Sequence, residues 1–325
     1  MKIKSFIVAL AALAVSTIAS AQEDPAVLWN KAVQALKAKN YAEALIAFEQ
    51  TADAAFTAEN FELAEKAQGY IPNCHFQIGY AQTKAKDFDN ALVNLAKAEE
   101  TAKLYNDSKT LNKVKTVISQ IYTVKGASAF NSKDYASAVE VFVKGYEANP
   151  QDTKLALYLA MSYCELGDWE NGVRVYTDVI ALEKRHSRFA EAAAKAKAEL
   201  SQYLLVKAQD ENKAGNKEAA YATLETLINA DPTNYDNQLY RLQTAATNED
   251  WDNVVAWGEL AAAFATLPAQ QSEIYYLIAV AHDTKNNNEA AIESYKLVTE
   301  GDKLEASQKR IVELNDFIKA QKEHK

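Results

Sequence analysis

The residues that most often end a helix are scarce in this chain. Glycine occurs nine times and proline five times among 325 residues, while alanine, leucine, lysine and glutamate are abundant. Glycine and proline are the least favourable residues inside a helix, and the abundant four are among the most favourable. The composition therefore leaves little room for a loop-rich fold and predicts helix throughout the chain.

Residues of catalytic and metal sites are scarce as well. The four histidines are scattered, none has a second histidine at the spacing of helical zinc ligands, and no Cys-x-x-Cys or Gly-x-Ser-x-Gly motif occurs. Gly167 and Gly172 have the spacing of a phosphate-binding loop, but Val173-Arg174 follows instead of Lys-Ser/Thr. We therefore predict no catalytic residue, no metal and no cofactor. An enzyme that uses some of the scattered carboxylates is the alternative.

Only the start of the chain carries a long apolar run. Lys2 and Lys4 precede the apolar stretch 6–18, and Ala19-Ser20-Ala21 fits a small-x-small cleavage site. The stretch is shorter than the about 20 apolar residues of a membrane-spanning helix, so we predict that residues 1–21 are a signal peptide. An uncut membrane anchor is the alternative. The protein is then periplasmic in a Gram-negative-type envelope, or secreted, with no integral membrane segment after cleavage.

Basic residues are outnumbered by acidic ones. The formal net charge is −9, and it becomes −11 once the predicted signal peptide and its two lysines are removed. Nucleic-acid binding and docking on anionic lipid both need a basic surface. The charge therefore argues against both of these partners.

What the chain contains instead is a short phrase repeated seven times: Asn or Asp, usually an aromatic residue, two further residues and a small one. Each phrase joins two helical patterns, and its Asn or Asp is a good N-cap for the second helix. Gly167 and Gly215 precede two of the phrases, where a turn often needs a positive φ. A repeated helix pair predicts a solenoid, an architecture that builds binding surfaces. The phrases occupy residues 40–44, 87–91, 134–138, 168–172, 216–220, 250–254 and 287–291.

Small residues recur at two places in each repeat. When the small residue of the phrase is position 20 of a 34-residue repeat, repeat three runs from 119 to 152 with Gly126 at position 8, Ala138 at 20 and Phe142 at 24. Over almost all of residues 25–300, this pattern resembles the tetratricopeptide repeat, in which two antiparallel helices, A and B, touch closely at positions 8 and 20. Repeat six departs from the pattern with Leu242 at 8 and Gly258 at 24, so we expect that pair to pack less regularly.

The resemblance implies an all-α, right-handed solenoid of about seven helix pairs, which we assign to residues 22–302. The amphipathic segment that follows, within residues 303–325, is expected to cap the array with a C-terminal helix. The alternative is a helix offered to the groove of a partner.

The repeats are unevenly spaced. Successive position-20 residues are 47, 47, 34, 48, 34 and 37 residues apart. We predict single long helices over 108–132 and 187–214, the second about 40 Å long at 1.5 Å per residue. Gly69 and Pro72 predict a break within 61–86. The extra turns either simply lengthen the helices or project as part of a binding face.

The two cysteines are predicted to be free. Cys74 and Cys164 fall on the first helices of repeats two and four, with a whole repeat between them. A disulfide needs Cα atoms within about 7 Å, so we expect unpaired thiols even though an exported protein could pair them.

A binding groove follows from the resemblance. In the tetratricopeptide family, ligands usually lie in a concave groove lined by positions 2, 5, 9, 12 and 13 of the A helices. The groove carried over to this chain is apolar and aromatic, which suits an apolar or helical segment; the alternative is that each residue packs in the core. The predicted partner-binding residues are Trp29, Phe76, Tyr80, Thr123, Phe130, Leu157, Met161, Leu205, Gln209 and Tyr276.

One kind of groove is not implied. Family members that clamp a C-terminal carboxylate carry Lys and Asn at positions 5 and 9, where repeat one has Trp29 and Val33. The sequence thus predicts a non-catalytic interaction scaffold of the bacterial cell envelope that binds a protein or peptide segment. A binding protein for a glycan or peptide ligand is the alternative, because aromatic groove residues could stack on sugars.

Overall fold

The structure is a computed structural model that describes residues 23–323. The predicted signal peptide and the last two residues of the predicted C-terminal tail lie outside this range. The described residues form sixteen α-helices and one 3-10 turn and contain no strand, which confirms the all-α prediction. The helices are α1 (Pro25–Lys37), α2 (Tyr41–Thr57), α3 (Phe61–Gln68), α4 (Ile71–Lys84), α5 (Phe88–Leu104), α6 (Ser108–Asn131), α7 (Tyr135–Ala148), α8 (Thr153–Glu165), α9 (Trp169–Leu182), α10 (Ala190–Lys213), α11 (Lys217–Ala230), α12 (Tyr235–Thr247), α13 (Trp251–Ala262), α14 (Pro268–Thr284), α15 (Asn288–Lys296) and α16 (Leu304–Glu323).

Seven helix pairs are present, and each repeated phrase lies at the joint of one pair. The A and B helices are α1/α2, α4/α5, α6/α7, α8/α9, α10/α11, α12/α13 and α14/α15. Two helices stand outside the pairs: α3, which follows the first pair, and α16, which follows the last. The predicted number of pairs and the predicted C-terminal helix are therefore confirmed.

The phrase joins two helices because its Asn or Asp can hydrogen-bond to the end of helix A and to the start of helix B. In all seven joints the backbone N–H of this residue donates to a carbonyl five residues earlier in helix A, at 2.9–3.0 Å. The residue before it has a positive φ, between 56° and 81°. This is the Schellman arrangement that closes a helix C-terminus. In four joints the same Asn or Asp then accepts a side-chain hydrogen bond from the N–H three residues ahead and caps helix B; these residues are Asn40, Asp134, Asp168 and Asp250.

Positions 8 and 20 are the points of closest helix contact, as predicted. Ala160 on α8 and Ala220 on α11 are fully buried. At Gly126 an added Cβ would lie 2.4 Å from Cε1 of Phe142, and at Gly172 it would lie 2.5 Å from Sγ of Cys164. Glycine is therefore required at both sites by close approach of the neighbouring side chain rather than by backbone conformation.

Repeat six compensates for its departure from the pattern. Leu242 at position 8 and Val254 at position 20 are both fully buried. The glycine at position 24, Gly258, leaves space that Ile278 of the next repeat occupies, because a Cβ there would lie 2.6 Å from Cγ1 of Ile278. The expected irregularity is thus an exchange of large and small residues between positions 8 and 24, and the interior of the pair stays closed.

The long repeat steps have two different structural origins. Helices α6 and α10 are single helices of 24 residues each, and the 3-10 turn Ser187–Phe189 precedes α10. In the first step the chain instead ends α3 at Gln68 and begins α4 at Ile71, so the predicted break is confirmed and yields a separate short helix.

The described residues fall into two compact units. Unit 1 comprises the described residues up to Val124 together with Glu147–Asn149, and unit 2 comprises Lys125–Tyr146 together with the described residues from Pro150 onward. In unit 1 the core has one cluster around Phe48 and another around Leu95. In unit 2 separate clusters form around Leu242, Val254 and Ala291. A chain of small cores is expected where each helix pair packs mainly on its neighbours.

The last helix closes the interior of unit 2. Leu314 of α16 is 3% exposed and packs with Ile311 and Ile318 against the core of the last helix pair. Arg310 holds α16 in place through hydrogen bonds from Nε and Nη2 to the Asp283 carboxylate, at 2.7 and 2.9 Å. Helix α16 therefore covers the apolar side of the final pair, as a capping element does.

Both cysteines are free and buried. Cys74 lies on α4 and Cys164 on α8, the first helices of pairs two and four. This agrees with the predicted free thiols, although the structure buries them more deeply than expected. Burial raises the pKa of each thiol to about 12.

Candidate functional site

Three of the four predicted groove residues of unit 1 lie in aromatic contacts. Trp29 is half-buried on α1, where it makes edge contacts with Phe48 and Tyr70 at ring distances of 5.6 and 5.7 Å. Nζ of Lys66 lies 4.6 Å from the Trp29 ring centroid. Trp29 thus borders the first core cluster, and only part of its ring faces solvent.

Phe76 and Tyr80 form a stacked pair on α4. Their ring centroids are 5.8 Å apart, with Lys113 over Phe76 and Lys84 over Tyr80. Phe76 is only 6% exposed, whereas Tyr80 is 36% exposed. Of the two, Tyr80 is therefore the side chain that a partner can reach without a rearrangement. Thr123, further along unit 1, is half-buried and donates from Oγ1 to the carbonyl of Ser119 at 2.9 Å.

In unit 2, Phe130 packs among three aromatic rings. Its centroid lies 4.9 Å from Tyr158, 5.8 Å from Tyr135 and 6.2 Å from Phe142. The buried Phe142 stacks on Tyr158 at 5.8 Å, which ties α7 to α8. Phe130 and Tyr158 remain partly exposed, so this cluster presents two ring edges at the surface.

The A helices α8 and α10 pack side by side and carry four predicted site residues. Leu157 is only 7% exposed, Met161 and Leu205 are half-buried, and Gln209 is exposed. A hydrogen bond joins the two helices: Tyr203 donates from its hydroxyl to Oε1 of Glu165 at 2.7 Å. We call the surface formed by Met161, Glu165, Tyr203, Leu205 and Gln209 the α8–α10 face.

The α8–α10 face contains one polar pair and two apolar side chains. Burial raises the pKa of Tyr203, and the hydrogen bond to the Glu165 carboxylate raises it further. The phenol is therefore neutral at physiological pH and acts as a donor. Half-buried Met161 and Leu205 supply apolar surface on the same two helices. Such a surface can bind an apolar segment and orient it through a few hydrogen bonds.

The last predicted residue, Tyr276, lies on α14. It is half-buried, contacts Tyr295 at a ring distance of 6.1 Å, and has Lys303 5.7 Å from its centroid. A cleft of about 610 Å³ also opens at this end of unit 2, between α16 and the last pair, with Arg310, Glu313 and Phe317 in its wall. Its arginine is already bonded to Asp283 and Glu313.

Three segments of the chain match family profiles described as the tetratricopeptide repeat. One profile matches residues 119–152 and 272–302, and a second matches residues 155–183. These three segments are therefore similar to the tetratricopeptide repeat. The first match has the same bounds as the repeat predicted from the small residues, 119 to 152, which confirms the alignment of positions 8 and 20 in that repeat.

Solved structures of tetratricopeptide repeat proteins are similar to this chain at low identity. The TPR domain of P58(IPK) is 13% identical, with 92% of this chain and 99% of that one covered and a TM-score of 0.31. The TPR2AB domain of yeast Sti1, in a complex with pHSP90, is 15% identical, with 76% and 99% covered and a TM-score of 0.31. A tetratricopeptide repeat protein from Parabacteroides merdae ATCC 43184 is 12% identical, with 90% and 98% covered and a TM-score of 0.26. The search of curated proteins found no match.

The tetratricopeptide register does not identify every residue on these surfaces. Tyr158, Tyr203 and Glu165 were not predicted, yet they make the ring and hydrogen-bond contacts just described. A similar bridge joins α12 to α14, where Tyr235 donates to Oε2 of Glu273 at 3.0 Å. Both bridges pair a tyrosine of one A helix with a glutamate of a neighbouring A helix, but Tyr235 begins α12 whereas Tyr203 lies in the middle of α10, so no common sequence signal marks them. That the ten predicted residues bind a partner stays a prediction.

Two further observations concern metal sites and membrane spans. Within 23–323, no three His, Cys, Asp or Glu side chains are grouped as a metal site would require. No helix in that range combines the length and the apolarity that spanning a membrane demands.

Proposed function

We propose that this protein is a non-catalytic scaffold that binds a protein segment through the A helices of its tetratricopeptide repeats. The α8–α10 face carries the proposal. It carries half-buried Met161 and Leu205 on two helices that the hydrogen bond from Tyr203 to Glu165 joins, which offers a partner apolar contact on a fixed support.

An apolar or amphipathic segment is the partner that this face fits best. Half-buried Met161 and Leu205 provide apolar area. The exposed amide of Gln209, on the same helix as Leu205, is available for hydrogen bonds to a partner. Rigid helices carry all these groups, so little conformational entropy is lost when a segment binds. The phenol and carboxylate are already bonded to each other, which leaves them in place as an orienting pair rather than as reactive groups.

We also propose that the scaffold works outside the cytoplasm of a bacterium. The basic start, the apolar stretch and the small-x-small site in residues 1–21 support this proposal. Export is tested by determining the N-terminal residue of the protein purified from its source cell. Gln22 at the N-terminus would support cleavage, and an intact Met1 would overturn it.

The binding proposal is tested with matched substitutions. The variant Met161→Gln/Leu205→Gln changes the α8–α10 face, and the control Leu260→Gln/Val312→Gln changes two apolar residues that are each 60% exposed and lie on α13 and α16. Each protein is crosslinked in envelope extract of its source cell, purified and analysed by mass spectrometry. We expect a stoichiometric protein partner with the wild type and the control, and its loss with the α8–α10 variant.

Other outcomes would count against the proposal. A partner retained by the α8–α10 variant moves the binding surface elsewhere. No protein partner at all, together with a thermal shift caused by a glycan library, favours the binding protein for a small ligand. Circular dichroism establishes that each variant remains helical, so that a loss of binding is not a loss of fold.

A further inference from the structure

Two phenylalanines stand exposed at the turn between α2 and α3. Phe56 is 64% exposed, the highest value among the large hydrophobic residues described, and Phe61 is 59% exposed. Their rings make an edge-to-face contact at 5.5 Å. This contact covers only part of each ring. Adjacent aromatic side chains that stay exposed on a protein surface often mark an interaction site. We call residues 53–65 the α2–α3 tip.

The tip is rigid. Glu59 has a φ of 56°, and the N–H of Asn60 donates to the carbonyl of Ala55 at 2.8 Å, which closes the end of α2. The Asn60 side chain then accepts from the N–H of Leu63 at 3.1 Å and caps α3. A single residue therefore joins the two helix ends, so the backbone that carries both rings has a defined conformation before a partner binds.

The tip exists because of the first long repeat step. Helix α3 is one of the two helices that belong to none of the seven pairs, and it lies in the 47-residue interval between the first two phrases. Insertions in repeat proteins often gather on a binding face. Ala67 of α3 is buried in the first core cluster, so the inserted helix is anchored on the repeat array while its first turn carries the exposed ring of Phe61.

The charge around the rings has one sign. Asp53 lies one helical turn before Phe56, and Glu65 lies one turn after Phe61. With Glu59 and Glu62 they make four exposed carboxylates within residues 53–65, a stretch that contains no lysine or arginine. The first basic residue beyond it, Lys66, lies over the ring of Trp29. The stretch that holds the two rings therefore carries four acidic side chains and no basic one.

We infer that the α2–α3 tip is a second docking surface, which inserts Phe56 and Phe61 into an apolar pocket of a partner protein bordered by lysine or arginine. Aromatic side chains are favoured at the centres of protein interfaces, and complementary charge at the rim raises specificity and the association rate. The same negative charge disfavours an anionic membrane and a second copy of the tip. This inference is independent of binding at the α8–α10 face.

The test places a crosslinking residue at the α2–α3 tip of the full-length protein. Phe56→p-benzoyl-phenylalanine is compared with the same substitution at Ile46, which is 56% exposed on the same helix. After irradiation in envelope extract of the source cell, crosslinked proteins are identified by mass spectrometry and purified. We expect one protein to crosslink from position 56 and not from position 46.

Affinity measurements with that purified protein test whether the two rings and the acidic side chains contribute to binding. We expect Phe56→Ala/Phe61→Ala to weaken binding by about tenfold or more, since truncating aromatic residues at an interface centre costs at least that much. Asp53→Lys/Glu65→Lys should weaken binding at low salt and reduce its salt dependence. The matched control Ile46→Ala/Val93→Ala removes two apolar side chains that are each 56% exposed and should leave binding unchanged.

Several results would overturn the inference. These are binding that survives Phe56→Ala/Phe61→Ala in a variant still helical by circular dichroism, the absence of any protein crosslinked from position 56, and crosslinks only to residues of the same chain or a second copy. Binding of the wild type to phosphatidylglycerol vesicles that requires the two rings would also overturn it, because the occupant would then be a membrane.

Discussion

The closest contacts between helices depend on single glycines, which have no side chain. At Gly126 the ring of Phe142 occupies the space in which a Cβ would stand. Close packing of this kind cannot absorb even one methyl group without moving a neighbour. The repeat therefore constrains residue size at positions 8 and 20 much more strongly than residue chemistry.

Gly126→Ala is expected to destabilise the protein. A Cβ at this site would lie 2.4 Å from Cε1 of Phe142, so the ring or the helix must shift, at a cost of about 1–3 kcal/mol. The measurement is the urea midpoint followed by circular dichroism. The control is Gly69→Ala, where the nearest atom would be 3.5 Å away and φ is −62°. Equal midpoints for the two variants would contradict the packing argument.

The buried thiols are expected to react slowly in the folded protein. Burial raises the pKa of Cys74 and Cys164 to about 12, and only the thiolate attacks iodoacetamide. At pH 8 we expect labelling only at the rate at which the chain opens, with two thiols labelled promptly in urea. Prompt labelling of either cysteine without urea would show that its surroundings are more open than the structure indicates.

At the scale of the helix, the ends of A helices are fixed by backbone geometry more than by residue type. Five of the seven joints have a lysine, glutamate or asparagine at the positive φ, and only two have glycine. A left-handed conformation costs a residue with a Cβ about 1–2 kcal/mol. The surrounding hydrogen bonds of the Schellman turn must offset that cost.

This leads to opposite expectations for one substitution at two lysines. Lys133 has a φ of 59° at the end of α6, and Lys144 lies exposed within α7. Lys133→Gly removes the left-handed strain and should raise stability by about 0.5–1 kcal/mol after the added freedom of the unfolded chain is subtracted. Lys144→Gly should lower stability by about 1 kcal/mol. Both are measured as shifts of the urea midpoint; shifts of the same sign would refute the argument.

At the scale of the whole molecule, tyrosine–carboxylate hydrogen bonds recur between neighbouring helices of unit 2. Tyr146 donates to Asp178 at 2.7 Å and joins α7 to α9, while Tyr203 and Tyr235 join pairs of A helices. In all three tyrosines burial is the main cause of a raised pKa, and the bonded carboxylate raises it further. The protonated phenol is thus part of the folded state.

Stability should therefore decline in alkali. Because the folded-state pKa of these tyrosines lies above the ordinary value of 10, their stabilising contribution is complete below pH 10 and is lost as pH rises beyond it. We expect a constant melting temperature from pH 8 to about 9.5 and a steady fall above pH 10. Tyr203→Phe/Tyr235→Phe should be less stable at neutral pH and show a shallower fall. An unchanged alkaline slope in this variant would contradict the assignment.

The candidate site was only partly predictable from the sequence. The repeat register predicted five groove residues on A helices that differ in exposure. In the structure Tyr80, Met161 and Leu205 are partly exposed, whereas Phe76 and Leu157 are buried. Register gives the angular position of a residue on its helix. It does not give how closely the next helix approaches, and that distance decides which of two adjacent apolar side chains is covered.

The sequence by itself determined the helix pairs, their joints and the places of closest contact. These features are local: an Asn or Asp next to a left-handed residue ends one helix and caps the next, and small residues at fixed spacing allow two helices to touch. Only the tertiary structure decided the Tyr203–Glu165 bridge and the exposure of Phe56 and Phe61. These depend on which helices become neighbours and on where an inserted helix leaves surface uncovered, and no local pattern contains that information.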